Sequence, residues 1–312
     1  MTTPSKDRPI RLGTRQSPLA MVQAHEARAR LVAAHGLSED AVEIVAVRAT
    51  GDKVQDRPLA EIGGKALWTK ELDLALIEGE IDFAVHSAKD VETIRPAQIA
   101  IAAVLEREDV RDVLVGATSI AALPPGAVVG TSAPRRAAQL LNARPDCRVV
   151  PIRGNVATRL AKLAAGEVDA TFLAAAGLKR LGQEGTGSAL DAADWLPAPA
   201  QAAIAIECRA DDETTRSLLA AIDHAPSHRA VLAERALLAA LGGNCHSPIA
   251  VLSTGGEALQ MRAAILSPDG AHRCDASGTF GDDLAEAATT LANALLADAP
   301  EAIRANFTAA PT

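Results

Sequence analysis

A regular alternation of strand-like and helix-like segments limits the fold of this chain more than any other feature of its sequence. Residues 11–14 are typical of the end of a strand, and Ser17 with Pro18 forms a helix N-cap followed by a first-turn proline. Gly36 is placed to end that helix in a left-handed conformation. Strands that alternate with helices of this length indicate βαβ units and a largely parallel sheet.

The same rhythm starts again after a turn at 121–126, so it predicts two α/β lobes of similar size. In the first lobe we expect strands at 43–47, 81–86 and 99–105, and a helix that Thr69 caps and that ends near Gly79. In the second lobe we expect strands at 127–130, 148–152 and 169–174, and helices at 134–142 and 156–165.

After Ser227 the pattern changes to that of a small α+β domain. We expect a helix at 228–241, strands at 249–252 and 259–266, a hairpin turn at Pro268-Asp269-Gly270 and a last helix at 282–297. The chain therefore combines two α/β lobes with one α+β domain.

Composition and charge exclude several classes of partner. The formal net charge is −8, and no basic stripe of the kind that binds duplex nucleic acid is present. No apolar stretch approaches the roughly 18 residues of a membrane span, and residues 1–9 lack the apolar core of a signal peptide. We expect a cytoplasmic protein with no nucleic-acid and no membrane partner.

Polar, mostly basic residues follow several of the predicted strands, where open α/β sheets bind ligands. The first lobe places these residues at Arg15 and Ser17 and at His86-Ser87-Ala88-Lys89-Asp90. The second lobe places them at Thr131, Ser132, Arg135, Arg136, Arg153, Gly154, Asn155, Arg159 and Arg180. If the two lobes face each other, these residues line one cleft, and the expected ligand carries several carboxylates. The alternative is that each arginine caps a helix or forms a surface ion pair.

Two residues differ from this basic set. Asp90 is a lone acid among cations, so it is either the N-cap of the next turn, a counter-charge for a cationic intermediate or a proton-transfer group. Cys245 follows two glycines after a predicted helix and has His246 beside it, which is a plausible setting for a reactive thiol or simply for an ordinary loop cysteine. The other three cysteines are interpreted as packing residues, and without any Cys-x-x-Cys pair we expect no metal site.

Motifs of other enzyme classes are missing. Gly63-Gly64-Lys65 lacks the leading glycine and the trailing Ser or Thr of a phosphate-binding loop, and no Gly-x-Ser-x-Gly or His-Glu-x-x-His is present. Ser87 and Lys89 leave a Ser-Lys hydrolase possible but unsupported.

Taken together and in this order, the segments TRQSPLA, HSAKD, GTSAPRR, RGN, IECR and the late Cys-His-Ser-Pro resemble the porphobilinogen deaminase family, over nearly the whole chain. The resemblance implies three domains: residues 9–105 with 203–222, residues 109–202, and residues 224–312. The first two would be α/β lobes like those of periplasmic binding proteins, and the third an α+β domain. It also implies a transferase that joins four porphobilinogen molecules head to tail and then releases hydroxymethylbilane and ammonia by hydrolysis. We expect a monomer with this small-molecule substrate.

Residue roles follow from the resemblance, position by position. It implies a dipyrromethane cofactor on a thioether to Cys245 and a catalytic carboxylate at Asp90. Cofactor contacts are implied for Ser87, Lys89, Thr131, Ser132, Arg135, Arg136, Gly154 and Asn155. Substrate contacts are implied for Arg15, Ser17, Arg153, Arg159 and Arg180, and Lys65 would lie on a lid.

Several positions depart from the family pattern. Ala133-Pro134 stands where Ser-Leu is more usual, and Ala200 and Ala202 flank Gln201 where the family commonly has glycines. Ala157 replaces another glycine, Asn244 precedes the cysteine, and Glu61 stands where lysine is frequent. These changes leave open a homologue that binds pyrroles but turns over poorly. A non-enzymatic solute-binding module, which would share the two α/β lobes and the arginine-lined cleft, is the other alternative.

Overall fold

The computed structural model describes residues 4–47, 69–256 and 258–307. The chain forms two compact units, and each is described by itself. Unit 1 comprises residues 1–108 and 203–229, and unit 2 comprises residues 109–202 and 230–312. The three domain boundaries inferred from the sequence stay a prediction. Lys65 and Glu61 lie outside the described residues.

Unit 1 is built on a five-stranded sheet in the order β2-β1-β3-β10-β4, with strands numbered along the chain. Its strands are β1 Ile10–Arg15, β2 Val42–Val47, β3 Phe83–Ser87, β4 Ile99–Val104 and β10 Ile204–Arg209. Strand β1 pairs in parallel with β2 and β3, whereas β10 runs antiparallel between β3 and β4. Four of the five strands therefore run in one direction, which agrees with the prediction of a largely parallel sheet. The exception is β10, which joins the sheet from a distant part of the chain and in the opposite direction.

The first helix of unit 1 follows its prediction closely. Helix α1 spans Pro18–His35; the Ser17 hydroxyl accepts a hydrogen bond from the Ala20 N–H, and Gly36 ends the helix with φ 61°. The next described helix, α2, spans Lys70–Ile77, and Thr69 stands at its N-cap position as predicted. The Thr69 side chain makes no cap hydrogen bond, because the residue has helical dihedral angles itself and its Oγ1 lies 3.5 Å from Nη1 of Arg95.

Unit 2 repeats this arrangement in a second sheet, ordered β7-β6-β8-β5-β9. Its strands are β5 Asp112–Val115, β6 Val128–Gly130, β7 Arg148–Val150, β8 Ala170–Ala174 and β9 Ser188–Ala189. Its helices are α3 Pro134–Ala143, α4 Val156–Ala164 and α5 Ala175–Arg180. Strand β6 is parallel to β7 and β8, and β5 is antiparallel to β8 and β9. Here too four of the five strands run in one direction, and β5 is the reversed strand.

A third, antiparallel sheet in unit 2 consists of β11 Ile249–Thr254, β12 Leu259–Leu266 and β13 Arg273–Phe280. Its residues share a core with the helices α7 Ala225–Ala240 and α8 Leu284–Leu296. Ala250, Ala264 and Leu266 pack against Ala138 and Leu196 in a second cluster. The prediction of two α/β lobes and a small α+β domain is confirmed.

Two short helices complete the described fold, α6 Glu213–Leu219 in unit 1 and α9 Glu301–Arg304 in unit 2. Within the described ranges no helix has the length and apolar character needed to cross a membrane. The same ranges contain no group of three or more His, Cys, Asp or Glu side chains that could hold a metal ion.

Candidate active site

A pocket in unit 1 opens where β1 and β3 end. Its lining includes Arg15, Ser17, Ser87 and Asp90, so the structure brings together four of the predicted site residues of the first lobe. Parallel neighbouring strands place their carboxyl ends at one edge of the sheet, which is why segments 70 residues apart meet here. Lys89 is half-buried in the same turn but is not among the lining residues.

Asp90 ends a short 3₁₀ turn, Ala88–Asp90, directly after β3. The turn is held by backbone hydrogen bonds from Ala88 N–H to Ala203 C=O (3.0 Å) and from Val91 N–H to Ala88 C=O (3.3 Å). The Asp90 carboxylate is half-buried. It caps no helix, and no hydrogen bond or ion pair to it is found among the described residues. The structure does not support the N-cap alternative for this residue.

Gln23 is a pocket residue that the sequence interpretation missed. Its side-chain amide exchanges two hydrogen bonds with the Ser87 hydroxyl, at 2.9 and 3.1 Å. A signal was present in the sequence, because Gln23 lies in the buried stripe of α1 that otherwise contains only Ala20, Ala24, Ala27 and Leu31. A polar residue in such a stripe usually has a buried partner.

Beside the pocket lies a buried group of ionisable residues that we call the unit 1 charge cluster: Asp73, His86, Arg95 and Glu207. Arg95 donates to both carboxylates, and the His86 ring lies 3.3 Å from Glu207 Oε2. Burial by itself would raise the pKa of Glu207, but the neighbouring His86 and Arg95 outweigh it and lower that pKa to about 2.

In unit 2 the predicted hydroxyl residues hold the loop that follows β6. Thr131 Oγ1 accepts a hydrogen bond from the Ala133 N–H at 3.1 Å, and the Ser132 hydroxyl donates to the Ile152 C=O at 2.9 Å. Ala133 is the N-cap residue of α3 and makes no side-chain cap hydrogen bond, so the departure from serine removes a helix cap at this position.

The segment Arg153-Gly154-Asn155 leads into α4. The local structure explains why glycine and asparagine stand at its last two positions. Asn155 caps the helix through its Oδ1, which accepts from the Thr158 N–H. Gly154 has φ 108°, and a Cβ there would lie 2.6 Å from the Thr158 Cβ, so only glycine fits. Arg159 Nε donates to the Gly154 C=O at 3.0 Å. Arg153 and Arg159 are both half-buried beside this helix start.

Arg135 and Arg136 lie inside unit 2, where each donates to one oxygen of the buried Asp112 at 2.7 Å. We call these three residues the unit 2 charge cluster. Burial opposes ionisation of Asp112, but the two guanidinium charges outweigh it and hold the pKa of Asp112 well below its ordinary value. The Nε atoms of both arginines are buried without a hydrogen-bond partner.

The segment after Leu196 contacts the unit 2 charge cluster through Gln201. Gln201 is fully buried, and its amide donates to Asp112 Oδ1 at 2.9 Å and to the Val110 C=O at 2.7 Å. Its neighbours Ala200 and Ala202 have φ values of 57° and 72°, in the region that favours glycine. Arg180 Nη2 donates to the Ala202 C=O at 3.1 Å, so this predicted substrate residue supports the same segment.

Cys245 is exposed in the turn that follows α7. The turn is closed by hydrogen bonds from Asn244 N–H to Ser247 Oγ and from Ser247 N–H to Asn244 C=O, both 3.0 Å. Cys147 and Cys208 are buried, and burial raises the pKa of the Cys208 thiol to about 11. Of the four cysteines, Cys245 is the exposed one, and its attachment to a cofactor stays a prediction.

Comparisons with known proteins identify one family over almost the whole chain. Residues 10–217 match the family model described as porphobilinogen deaminase, dipyromethane cofactor binding domain, and residues 228–297 match the model of the C-terminal domain of porphobilinogen deaminase. A porphobilinogen deaminase of Sphingopyxis alaskensis is 58% identical over 308 residues, covering 96% of this chain and 97% of the relative. That of Paracoccus denitrificans is 52% identical, covering 91% of this chain and 94% of the relative.

Solved structures resemble the fold more distantly. A periplasmic substrate-binding protein of an ABC transporter from Coxiella burnetii superposes with a TM-score of 0.42 at 18% identity, over 72% of this chain and 94% of that one. The family models together span most of the chain, and they include the cofactor-binding domain that the sequence motifs predicted. This chain belongs to the porphobilinogen deaminase family.

Proposed function

We propose that the chain is a hydroxymethylbilane synthase, which deaminates four porphobilinogen molecules, joins them head to tail and releases the linear tetrapyrrole by hydrolysis. Membership of the family supports this reaction. The observation that carries it is Asp90, a carboxylate that has no partner among the described residues and lies in a pocket with Arg15. Monomeric state and cytoplasmic location stay predictions from the sequence.

The residues of unit 2 fit a covalently held dipyrromethane, which carries acidic side chains on each pyrrole. The unit 2 charge cluster sets two guanidinium groups against one carboxylate, and it retains two buried Nε donors without partners. Guanidinium groups suit carboxylates, and the exposed Cys245 thiol can form a thioether. When bound, the cofactor supplies the nucleophilic pyrrole carbon from which the chain of pyrroles grows.

The residues of unit 1 suit the deamination step. When ammonia leaves porphobilinogen with the electron pair of the C–N bond, positive charge develops on the pyrrole. A fixed carboxylate such as Asp90 stabilises that charge, while Arg15 offers a partner for a substrate carboxylate. We assign further carboxylate contacts to Arg153 and Arg159, and contacts with the substrate or cofactor to Ser17 and Lys89.

The covalent part of the proposal is tested by the intact mass of the purified protein. We expect a mass increase of one dipyrromethane that reductant does not remove, and peptide mapping should place it on Cys245. Cys245→Ser should lose the adduct and the activity, whereas the control Cys274→Ser, at a half-buried cysteine, should keep both. An active protein without an adduct, or an adduct on another cysteine, would contradict the assignment.

The catalytic part is tested by steady-state release of tetrapyrrole from porphobilinogen. Asp90→Asn should keep the adduct but lose about 100-fold or more in kcat, because the amide cannot supply the negative charge. The control Asp40→Asn changes an exposed carboxylate of unit 1 and should leave kcat unchanged. Turnover of Asp90→Asn within a few-fold of wild type would rule out the role, and wild-type protein that binds without turnover would favour a binding module.

A further inference from the structure

Arg95 lies five residues after Asp90, in the segment that connects the Asp90 turn to β4. Its side chain is only 8% exposed. Nε and Nη2 donate to the two oxygens of Glu207 at 2.8 and 2.9 Å, and Nη1 and Nη2 donate to those of Asp73 at 3.1 and 2.5 Å. Both carboxylates are therefore held in a bidentate manner by one guanidinium group, which is the geometry that fixes an arginine most strictly.

Each partner of Arg95 lies close to a residue that lines the Asp90 pocket. Glu207 lies on β10 and faces His86 of β3, and His86 lines the pocket. Asp73 lies in the first turn of α2, directly after Thr69, which also lines the pocket and is in reach of Arg95 Nη1 at 3.5 Å. The guanidinium group thus links the segment after Asp90 to two carboxylates, one next to His86 and one on the helix that follows Thr69.

Within the unit 1 charge cluster, no other described side chain is placed to do what the Arg95 guanidinium group does for Asp73 and Glu207. Asp73 and Glu207 are both buried, and Arg95 is the group that contacts both. His86 faces Glu207, and Glu92 is a further carboxylate 4.0 Å from Arg95. Removal of the guanidinium charge would leave buried carboxylates that repel each other, so the elements that carry them would have to move apart.

The Asp90 turn and Arg95 belong to one short segment between β3 and β4. The bond from Ala88 N–H to Ala203 C=O holds the start of the turn, and the bond from Val91 N–H to Ala88 C=O closes it. The Asp90 side chain has no partner among the described residues. We propose that Arg95 is a positioning residue that fixes the location of Asp90 relative to the pocket by tying its segment to Asp73 and Glu207. This inference rests on the function proposed above for Asp90.

Two variants test the inference. Arg95→Lys keeps the positive charge but cannot bind two carboxylates in a bidentate manner. The double variant Asp73→Leu with Arg95→Met removes one complete ion pair, leaves Glu207 with His86, and should fold because apolar residues can replace a buried pair. The control is Arg209→Lys at the other end of β10, where the arginine donates to the Leu76 and Ile81 carbonyls and to Asp212.

We measure kcat and KM for porphobilinogen and the amide hydrogen exchange of residues 87–95 in each purified holoenzyme. Both test variants should lower kcat by about 10-fold or more with KM within about threefold, since a small misplacement of a catalytic group costs rate. Exchange in residues 87–95 should accelerate in both, whereas Arg209→Lys should change neither kcat nor this exchange.

The outcomes separate this inference from the proposed function. Wild-type protein without turnover would remove the proposed function. Active wild-type protein with wild-type kcat and unchanged exchange in a folded Arg95 variant would overturn the positioning role alone. Loss of thermal stability with normal kcat at temperatures below unfolding would likewise assign Arg95 a purely structural role.

Discussion

The two buried charge clusters both combine arginine with carboxylates, but in opposite proportions. The unit 1 charge cluster sets two carboxylates around one arginine and one histidine. The unit 2 charge cluster sets two arginines around one carboxylate. In unit 1 the guanidinium donors contact carboxylates on two sides, whereas in unit 2 two Nε donors remain without partners.

This difference shows that buried arginines can have different roles. An arginine shared between two acids has no capacity left for a ligand, so it serves to hold elements together. Two arginines that share one acid retain a net positive charge, which suits a site for acidic groups. The count of buried partners, rather than the presence of arginine after a strand, distinguishes the two cases.

The largest effect should come from breaking the unit 2 charge cluster at its single acid. Asp112→Asn leaves two buried guanidinium groups without a counter-charge, and the loss of one partner of a buried ion pair costs about 3–5 kcal/mol in unfolding free energy. The control Asp109→Asn removes the partner of Arg111 in the same segment, where 47% of the arginine side chain is exposed, and should cost about 1 kcal/mol or less. Urea unfolding that gives equal costs for the two variants would contradict this prediction.

The next largest effect should be on the pH dependence of the unfolding free energy, through the unit 1 charge cluster. Because the pKa of Glu207 falls from 4.5 to about 2 on folding, its contribution to stability is present above pH 4.5 and is lost as the pH falls toward 2. The shift corresponds to on the order of 3 kcal/mol. Unfolding free energies measured across this range should fall less steeply in Glu207→Gln than in wild type. Parallel curves for the two proteins would show that Glu207 titrates normally.

The smallest expected effect concerns backbone strain beside the unit 2 charge cluster. Among the described residues, Ala200 and Ala202 are the non-glycine positions with positive φ, and they flank the glutamine that binds the unit 2 charge cluster. Ala200→Gly and Ala202→Gly should each raise the unfolding free energy by about 1 kcal/mol, because glycine adopts this conformation without a Cβ clash. The control Ala198→Gly, at a position outside this set, should lower stability. Destabilisation by all three glycines would refute the idea of backbone strain.

Local patterns in the sequence were enough for several parts of the site. The cap at Ser17, the helix end at Gly36 and the exposed loop position of Cys245 all depend on residues within a few positions of one another. Thr69 stands at the predicted N-cap position but makes no cap hydrogen bond, and its hydroxyl lies near an arginine 26 positions away. The antiparallel β10 was not predicted for a similar reason, since its partners β3 and β4 are about a hundred residues distant.

The sequence by itself determined the family, the two-lobed α/β organisation and the set of residues from which the site is drawn. These depend on periodicity, on turn and cap residues and on short motifs, all of which are properties of adjacent positions. Only the tertiary structure decided which charges face each other: that Arg95 binds two acids, and that Arg135 and Arg136 share Asp112. Electrostatic energy in a buried site depends on distance and solvent exclusion, and neither can be read from the order of residues along the chain.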